Sequence, residues 1–183
     1  MKKTIFCITG LSGTGKSTIY YQLIRKMNKK PVIQYTSRPK RYGEMDGLHY
    51  NFITSEELAL YAATGKITCF ESYQVANGDY WLYGYMKDDL YDGCILPMNP
   101  TSIDSLKKED EYTVVSINLK VNEFVRLLRI FKRKDNQGIK EIIRRSIQDR
   151  KIFKKYNFDH SIINKNIEDT CEKIINIIKK NKE

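Results

Sequence analysis

The apolar run Thr4-Ile-Phe-Cys-Ile-Thr9 feeds directly into Gly10-Leu-Ser12-Gly13-Thr14-Gly15-Lys16-Ser17-Thr18. A strand, a glycine-rich turn and a helix start therefore follow one another in the order that the pattern G-x-x-x-x-G-K-[ST] requires. The constraint is physical. Consecutive backbone N–H groups must curl around an anion, so glycine is needed where a side chain would collide or where φ turns positive. Lys16 brings a charge to the outer phosphates, the Ser17 hydroxyl can ligate Mg²⁺, and the following helix adds its N-terminal amides. Gly10, Ser12, Gly13, Thr14, Gly15, Lys16, Ser17 and Thr18 are the candidate nucleotide-phosphate residues.

At 183 residues the chain is expected to form one domain with a core that needs no staples. It is 41% hydrophobic and 30% charged, and no apolar run approaches the length of a membrane span. The short apolar run after Lys2-Lys3 reads as a buried first strand rather than a leader, because the phosphate loop follows it at once. Cys7, Cys69, Cys94 and Cys171 lack metal-site spacing, which fits a reduced, cytoplasmic protein. The net charge is +10, and residues 120–155 hold thirteen Lys/Arg against four acids. A basic segment opposite a phosphate loop suits closing over a polyphosphate, so nucleic acid is not needed to explain it.

Strand-like runs separated by helical patterns predict an α/β fold with a mainly parallel sheet flanked by helices. Ile19, Leu23, Ile24 and Met27 mark the buried stripe of the first helix. Strands are expected at 31–35, 67–71, 79–83, 94–98, 113–117 and 160–163. Helices are expected at 55–61, with Thr54 or Ser55 as cap, at about 122–131, in a long basic stretch ending near 155, and at 168–179. The aromatic residues crowded between 35 and 85 read mostly as the core of a small β-rich insertion.

A second motif is longer: Thr36-Ser-Arg38-Pro-Lys-Arg41-Tyr-Gly43-Glu44-Met-Asp-Gly47-Leu-His-Tyr50-Asn-Phe52. Arg38 and Arg41 can make forked contacts to a phosphate, as lysine could not. Gly43 and Gly47 permit a tight turn that brings Tyr50 close. Together with the phosphate loop, this stretch resembles the guanylate kinase family of P-loop nucleoside monophosphate kinases, and the resemblance spans nearly the whole chain.

That resemblance implies a P-loop NTPase fold with a core of about 1–33, 86–121 and 156–183, an acceptor-binding region of about 34–85 and a basic helical lid of about 122–155. It implies ATP and a nucleoside monophosphate, GMP or dGMP, as substrates, Mg²⁺ as cofactor, and a monomer or homodimer. Arg38, Arg41, Tyr50 and Tyr83 would hold the acceptor phosphate, with Glu44 ordering their hairpin. Glu71 would pair with the guanine N1–H and 2-amino group, since a carboxylate accepts both hydrogens side by side. Lys16, Arg38, Arg133, Arg144 and Arg145 would carry the transfer, with Arg129 or Arg150 as alternatives for one lid position. Asn164 would lie near the adenine.

The departures from the family lie on the acceptor-base side. Gln34 stands where a serine is usual, Tyr85 where a small hydroxyl residue is usual, and Leu82 where a tyrosine is usual. Ile95-Leu-Pro97-Met-Asn99-Pro100 replaces Asp-x-Asp followed by Gln-Gly, so two expected carboxylates are missing. Two alternatives follow: a related kinase with another acceptor, such as a modified nucleotide or a ribose bisphosphate, or a catalytically silent domain that binds protein.

Overall fold

The computed structural model describes residues 1–75, 78–131 and 150–181. The strands are β1 (Lys3–Thr9), β2 (Tyr35–Thr36), β3 (Asn51–Phe52), β4 (Ile67–Gln74), β5 (Tyr80–Met86), β6 (Ile95–Pro97), β7 (Tyr112–Lys120) and β8 (His160–Ile163). The helices are α1 (Lys16–Lys26), α2 (Ser55–Ala63), α3 (Pro100–Lys107), α4 (Glu123–Phe131), a helical segment α5 over 150–155, and α6 (Ile167–Lys180).

β1 is central to a four-stranded sheet of order β6-β1-β7-β8, parallel throughout. Its residues alternate between two cores, as a strand buried on both faces requires. Phe6 and Ile8 pack with Ile19 and Leu23 of α1 and with Cys171, Ile174 and Ile178 of α6. Ile5 and Cys7 face the other way, toward Ile103 and Leu106 of α3, Cys69 and Tyr85. Each of these aliphatic side chains, when fully buried, contributes about 1.5–3 kcal/mol. All four cysteines are free and buried.

The second sheet, of order β3-β2-β5-β4, pairs β5 antiparallel with both β2 and β4. The run 31–35, expected as a strand, joins no ladder before Tyr35. Pro31 has no N–H to give, and the buried Val32 bonds through its own N–H and carbonyl to the Tyr20 hydroxyl instead of to a strand. α3 has no counterpart among the elements expected from the sequence. Its start is nevertheless well specified: the Asn99 side chain accepts from the Ser102 N–H, and Pro100 occupies the first turn. The cap of α2 is Thr54, in a reciprocal capping box with Glu57.

Because the core strands are parallel, Thr9, Pro97, Lys120 and Ile163 all end at one edge of the sheet. After β1 the core sheet continues at β6 on one side and then crosses to β7 on the other. The loop after β1 therefore sits where the strand order reverses, the usual place for a crevice in an open α/β sheet. No helix among the described residues is long and apolar enough to cross a membrane.

Candidate active site

The phosphate loop leaves β1 at Gly10 and enters α1 through Gly15, whose φ of 94° is left-handed. Gly13 is needed for space as well as for its φ of 86°: a Cβ there would lie 2.7 Å from the Arg126 carbonyl. The carbonyls from Gly10 to Thr14 are all bonded by the protein. Lys16 Nζ donates to Gly10 O and, at 3.4 Å, to Leu11 O. The Thr14 hydroxyl donates to Leu11 O at 2.8 Å. Arg126 Nη1 donates to Ser12 O at 3.0 Å, and Arg129 Nη1 reaches Gly13 O at 3.5 Å. Asn164 Nδ2 donates to Thr14 O at 2.8 Å.

The N-terminus of α1 differs from those of its neighbours. α2, α3, α4 and α6 are capped by the side chains of Thr54, Asn99, Asn122 and Asn166, whereas α1 has no side-chain cap. Its first-turn amides, next to the loop, are left for an anion. Ser17 and Thr18 are exposed in that turn.

Asn164, expected beside the adenine, is 6% exposed. Its amide braces the loop, with Nδ2 on Thr14 O and Oδ1 accepting from the Thr170 hydroxyl at 3.1 Å. Arg133, Arg144 and Arg145 lie outside the described residues. Arg150 pairs with Glu123.

In the second sheet, Arg38 is 3% exposed, although an arginine that binds a phosphate must present its fork. It is held by Glu44 Oε1 at 2.7 Å and Pro39 O at 2.8 Å, and its guanidinium lies over the rings of Tyr50 and Phe52. Burial is the largest single influence and works against its charge, but the bond to Glu44 together with the nearby Tyr83, Glu44 and Tyr50 outweighs it and raises the pKa. Burial likewise pushes Glu44 up, but bonds from the Arg38 side chain and the Arg41 N–H, with the charges of both arginines, together outweigh it and hold the carboxyl below its ordinary value. Glu44 thus ties Arg38 to the turn that carries Arg41, whose side chain is exposed. Gly47 N–H donates to Tyr50 O at 2.9 Å, so the turn does bring Tyr50 back onto itself. Tyr50 meets Tyr83 edge-on, with ring centroids 6.2 Å apart.

Glu71 lies just past a β-bulge in β4, where Cys69 takes a φ of 52°. A left-handed non-glycine residue is strained, and here the buried Cys69 side chain offsets that strain by packing in the core. The bulge leaves Phe70 exposed and turns Glu71 toward α3. Ser102 Oγ donates to Glu71 Oε1; Asn99 Nδ2 donates to Oε2 at 2.8 Å, and the Tyr73 hydroxyl to the same oxygen at 2.7 Å. Tyr73 also packs edge-on against Tyr83 at 5.4 Å. A ring-to-ring path therefore joins Arg38, Tyr50, Tyr83 and Tyr73 to Glu71.

Of the remaining acceptor-side candidates, Tyr85 is 1% exposed and its hydroxyl donates to Pro97 O at 2.9 Å. Burial drives the phenol well above its ordinary pKa, so it stays a neutral donor. Gln34 meets β3, which pairs parallel with β2, through its backbone, its carbonyl accepting from Asn51 N–H at 2.9 Å. Pro97 is tolerated because β6 is an edge strand. Tyr73, Ser102, Glu123 and Arg126 were not among the residues expected at the site. Asn-Pro-x-Ser was a readable helix start, and Arg126, four residues before the buried Ile130, was an arginine in an apolar stripe.

The chain is similar to a guanylate kinase of Thermotoga maritima, 28% identical with 98% of this chain and 87% of that protein covered. It is also similar to one of Mycoplasmoides gallisepticum, 28% identical with 96% and 92% covered. A guanylate kinase crystal structure from Anaplasma phagocytophilum shares the fold, with a TM-score of 0.68 and 22% identity over 98% of this chain and 86% of that one. The guanylate kinase family model matches residues 2–181, and the chain belongs to that family.

Proposed function

We propose that this protein transfers the γ-phosphoryl group of ATP to a guanine nucleoside monophosphate, GMP or dGMP, yielding ADP and the diphosphate. What supports this above all is the phosphate loop: its carbonyls from Gly10 to Thr14 are drawn to protein donors, and α1 behind it has no side-chain cap. Such a loop leaves its amides for a polyphosphate. Ser17, whose hydroxyl is a hard oxygen donor exposed in the first turn of α1 beside the loop, would hold Mg²⁺. When bound, the ion neutralises phosphate charge.

Nothing here needs a covalent intermediate or a general base. Lys16 and the loop amides hold and neutralise the donor phosphates. Arg41, exposed on the turn, orients the acceptor phosphate, and Arg38, buried and paired with Glu44, holds that turn and sets its positive charge beside it. Tyr50 and Tyr83 wall that phosphate site. Glu71, held by three donors, presents its remaining lone-pair capacity to the base. Asn164 secures the loop on the donor side, and Arg133, Arg144 and Arg145 supply lid charge. The protein works as a soluble cytoplasmic enzyme.

A second reading has a specific observation behind it. The Tyr85 hydroxyl and the Asn99 amide, at two positions that depart from the family, bond Pro97 O and Glu71 respectively. A base site altered in this way suits a different or modified acceptor base on the same phosphate machinery. A panel of GMP, dGMP, IMP, AMP, dTMP and CMP in a coupled ADP-release assay separates the two readings. Preference for GMP or dGMP by about 10³-fold or more in kcat/KM supports guanine. Comparable turnover of AMP or a pyrimidine overturns the guanine assignment and leaves the kinase standing.

A further inference from the structure

α4 lies outside the phosphate loop and its motif, yet it presses on that loop from behind. Arg126 is 1% exposed and is the largest fully buried side chain described. A guanidinium cannot shed its charge, so burying it requires partners for its donors. Glu123, one turn earlier on the same helix, accepts from Nε at 2.9 Å and from Nη2 at 2.6 Å. That fork would form equally well on an open helix surface, since Glu123 itself is half exposed. The further commitment is Nη1, which reaches back 114 residues to the Ser12 carbonyl at 3.0 Å.

We propose that Arg126 is a positioning residue for nucleotide binding, fixing the orientation of the Ser12–Gly13 peptide so that its N–H faces away from α4 and toward the phosphates. A trans peptide carries its C=O and N–H on opposite sides. Drawing the Ser12 carbonyl onto Arg126 therefore turns the Gly13 N–H the other way. The space is made for it: a Cβ at Gly13 would meet the Arg126 carbonyl at 2.7 Å and its Cγ at 3.1 Å, so loop and helix touch without clearance. Arg129, one turn on, reaches the next carbonyl, that of Gly13, at 3.5 Å. Two guanidinium groups also place positive charge behind the loop. Glu123 offsets one of them and is shared with Arg150. The inference rests on the reading that the loop takes nucleotide phosphates.

The test uses the full chain and ADP with Mg²⁺ as the probe. Arg126→Met keeps the volume and removes the fork. Arg126→Lys keeps the charge but can serve only part of the set of acceptors. ADP affinity is measured by titration calorimetry, and KM for ATP and for GMP in steady state, each variant well below its own Tm. Arg126→Met should bind ADP about tenfold more weakly or worse and raise the ATP KM in step. The GMP KM should stay within about twofold, and Arg126→Lys should fall between. If Arg126→Met does not fold, Arg126→Lys alone must show the donor-side loss. ADP binding within about twofold of wild type in the folded variant, or an equal loss on the GMP side, overturns the proposal. If wild type binds ADP but transfers nothing to GMP, the kinase reading fails while the ADP comparison still decides the role of Arg126. If wild type does not bind ADP, both fall.

Discussion

Around the phosphate loop, side-chain donors bond main-chain carbonyls: Lys16, Arg126, Arg129 and Asn164 all reach into the backbone between Gly10 and Thr14. In the acceptor half, side chains mostly bond side chains: Arg38 bonds Glu44, and Ser102, Asn99 and Tyr73 bond Glu71. The first arrangement shapes a peptide backbone, which can recognise a phosphate and little else. The second arranges a carboxylate, whose partners can be changed one residue at a time. Under the proposed function, donor binding would belong to the first arrangement and discrimination among acceptors to the second. The departures Tyr85, Pro97 and Asn99 all fall around the second.

Substitutions can break this contrast. Lys16→Ala removes the loop's own ammonium and should lower kcat by at least about 10²-fold in a coupled ADP-release assay, with an unchanged circular dichroism spectrum. Retention of more than about a tenth of the wild-type rate would show that the donor half does not depend on it. Glu71→Gln should act on the other side. A neutral amide presents a donor where the carboxylate presented an acceptor, so kcat/KM for GMP should fall by about 10–10²-fold while the ATP KM stays put. A shift in the ATP KM alone would mean that Glu71 reports on the loop rather than on the base.

Glu44→Gln tests how the acceptor half is held. It should lower stability by about 1–3 kcal/mol near neutral pH, because buried Arg38 loses its charged partner. The Glu44 carboxyl is held below its ordinary value of 4.5, so its contribution is complete above that pH and is lost as pH falls through the folded-state value. The Tm gap between wild type and variant should therefore be constant above about pH 5 and shrink below it. A gap that grows on acidification contradicts the pairing. The smallest effect should come from Thr54→Ala, which deletes the capping box of α2 at a cost of about 1 kcal/mol and a Tm loss of a few degrees. Its kcat should not change, since α2 contributes no residue to either half of the site.

The same contrast explains what was readable in the sequence. The strand, glycine loop and helix from Lys3 to Lys26 are local, and their periodicity and glycine spacing specify them. The Arg38–Tyr50 segment is local too, and Gly43 and Gly47 punctuate it at positive φ; it is a loop rather than the expected hairpin, because β2 and β3 on either side of it pair parallel. The clamp on Glu71 is not local. It joins β4 to α3 across about thirty residues, and it depends on a bulge at Cys69 that no period-2 pattern announces. Arg126 is hidden for a different reason: its place in an apolar stripe marks it as facing inward, but nothing local announces the loop carbonyl, 114 residues away, that it bonds. Residues 31–34 form no strand because β propensity says nothing about whether a partner strand is present, and Val32 bonds the Tyr20 hydroxyl instead.

The most direct test of the account is a product balance. Purified protein is mixed with ATP, Mg²⁺ and GMP, and nucleotides and inorganic phosphate are separated and quantified over time. The account predicts that one GDP appears for every ADP, with negligible free phosphate while GMP remains. ADP accompanied by inorganic phosphate and no GDP, or no consumption of ATP at all, would contradict it.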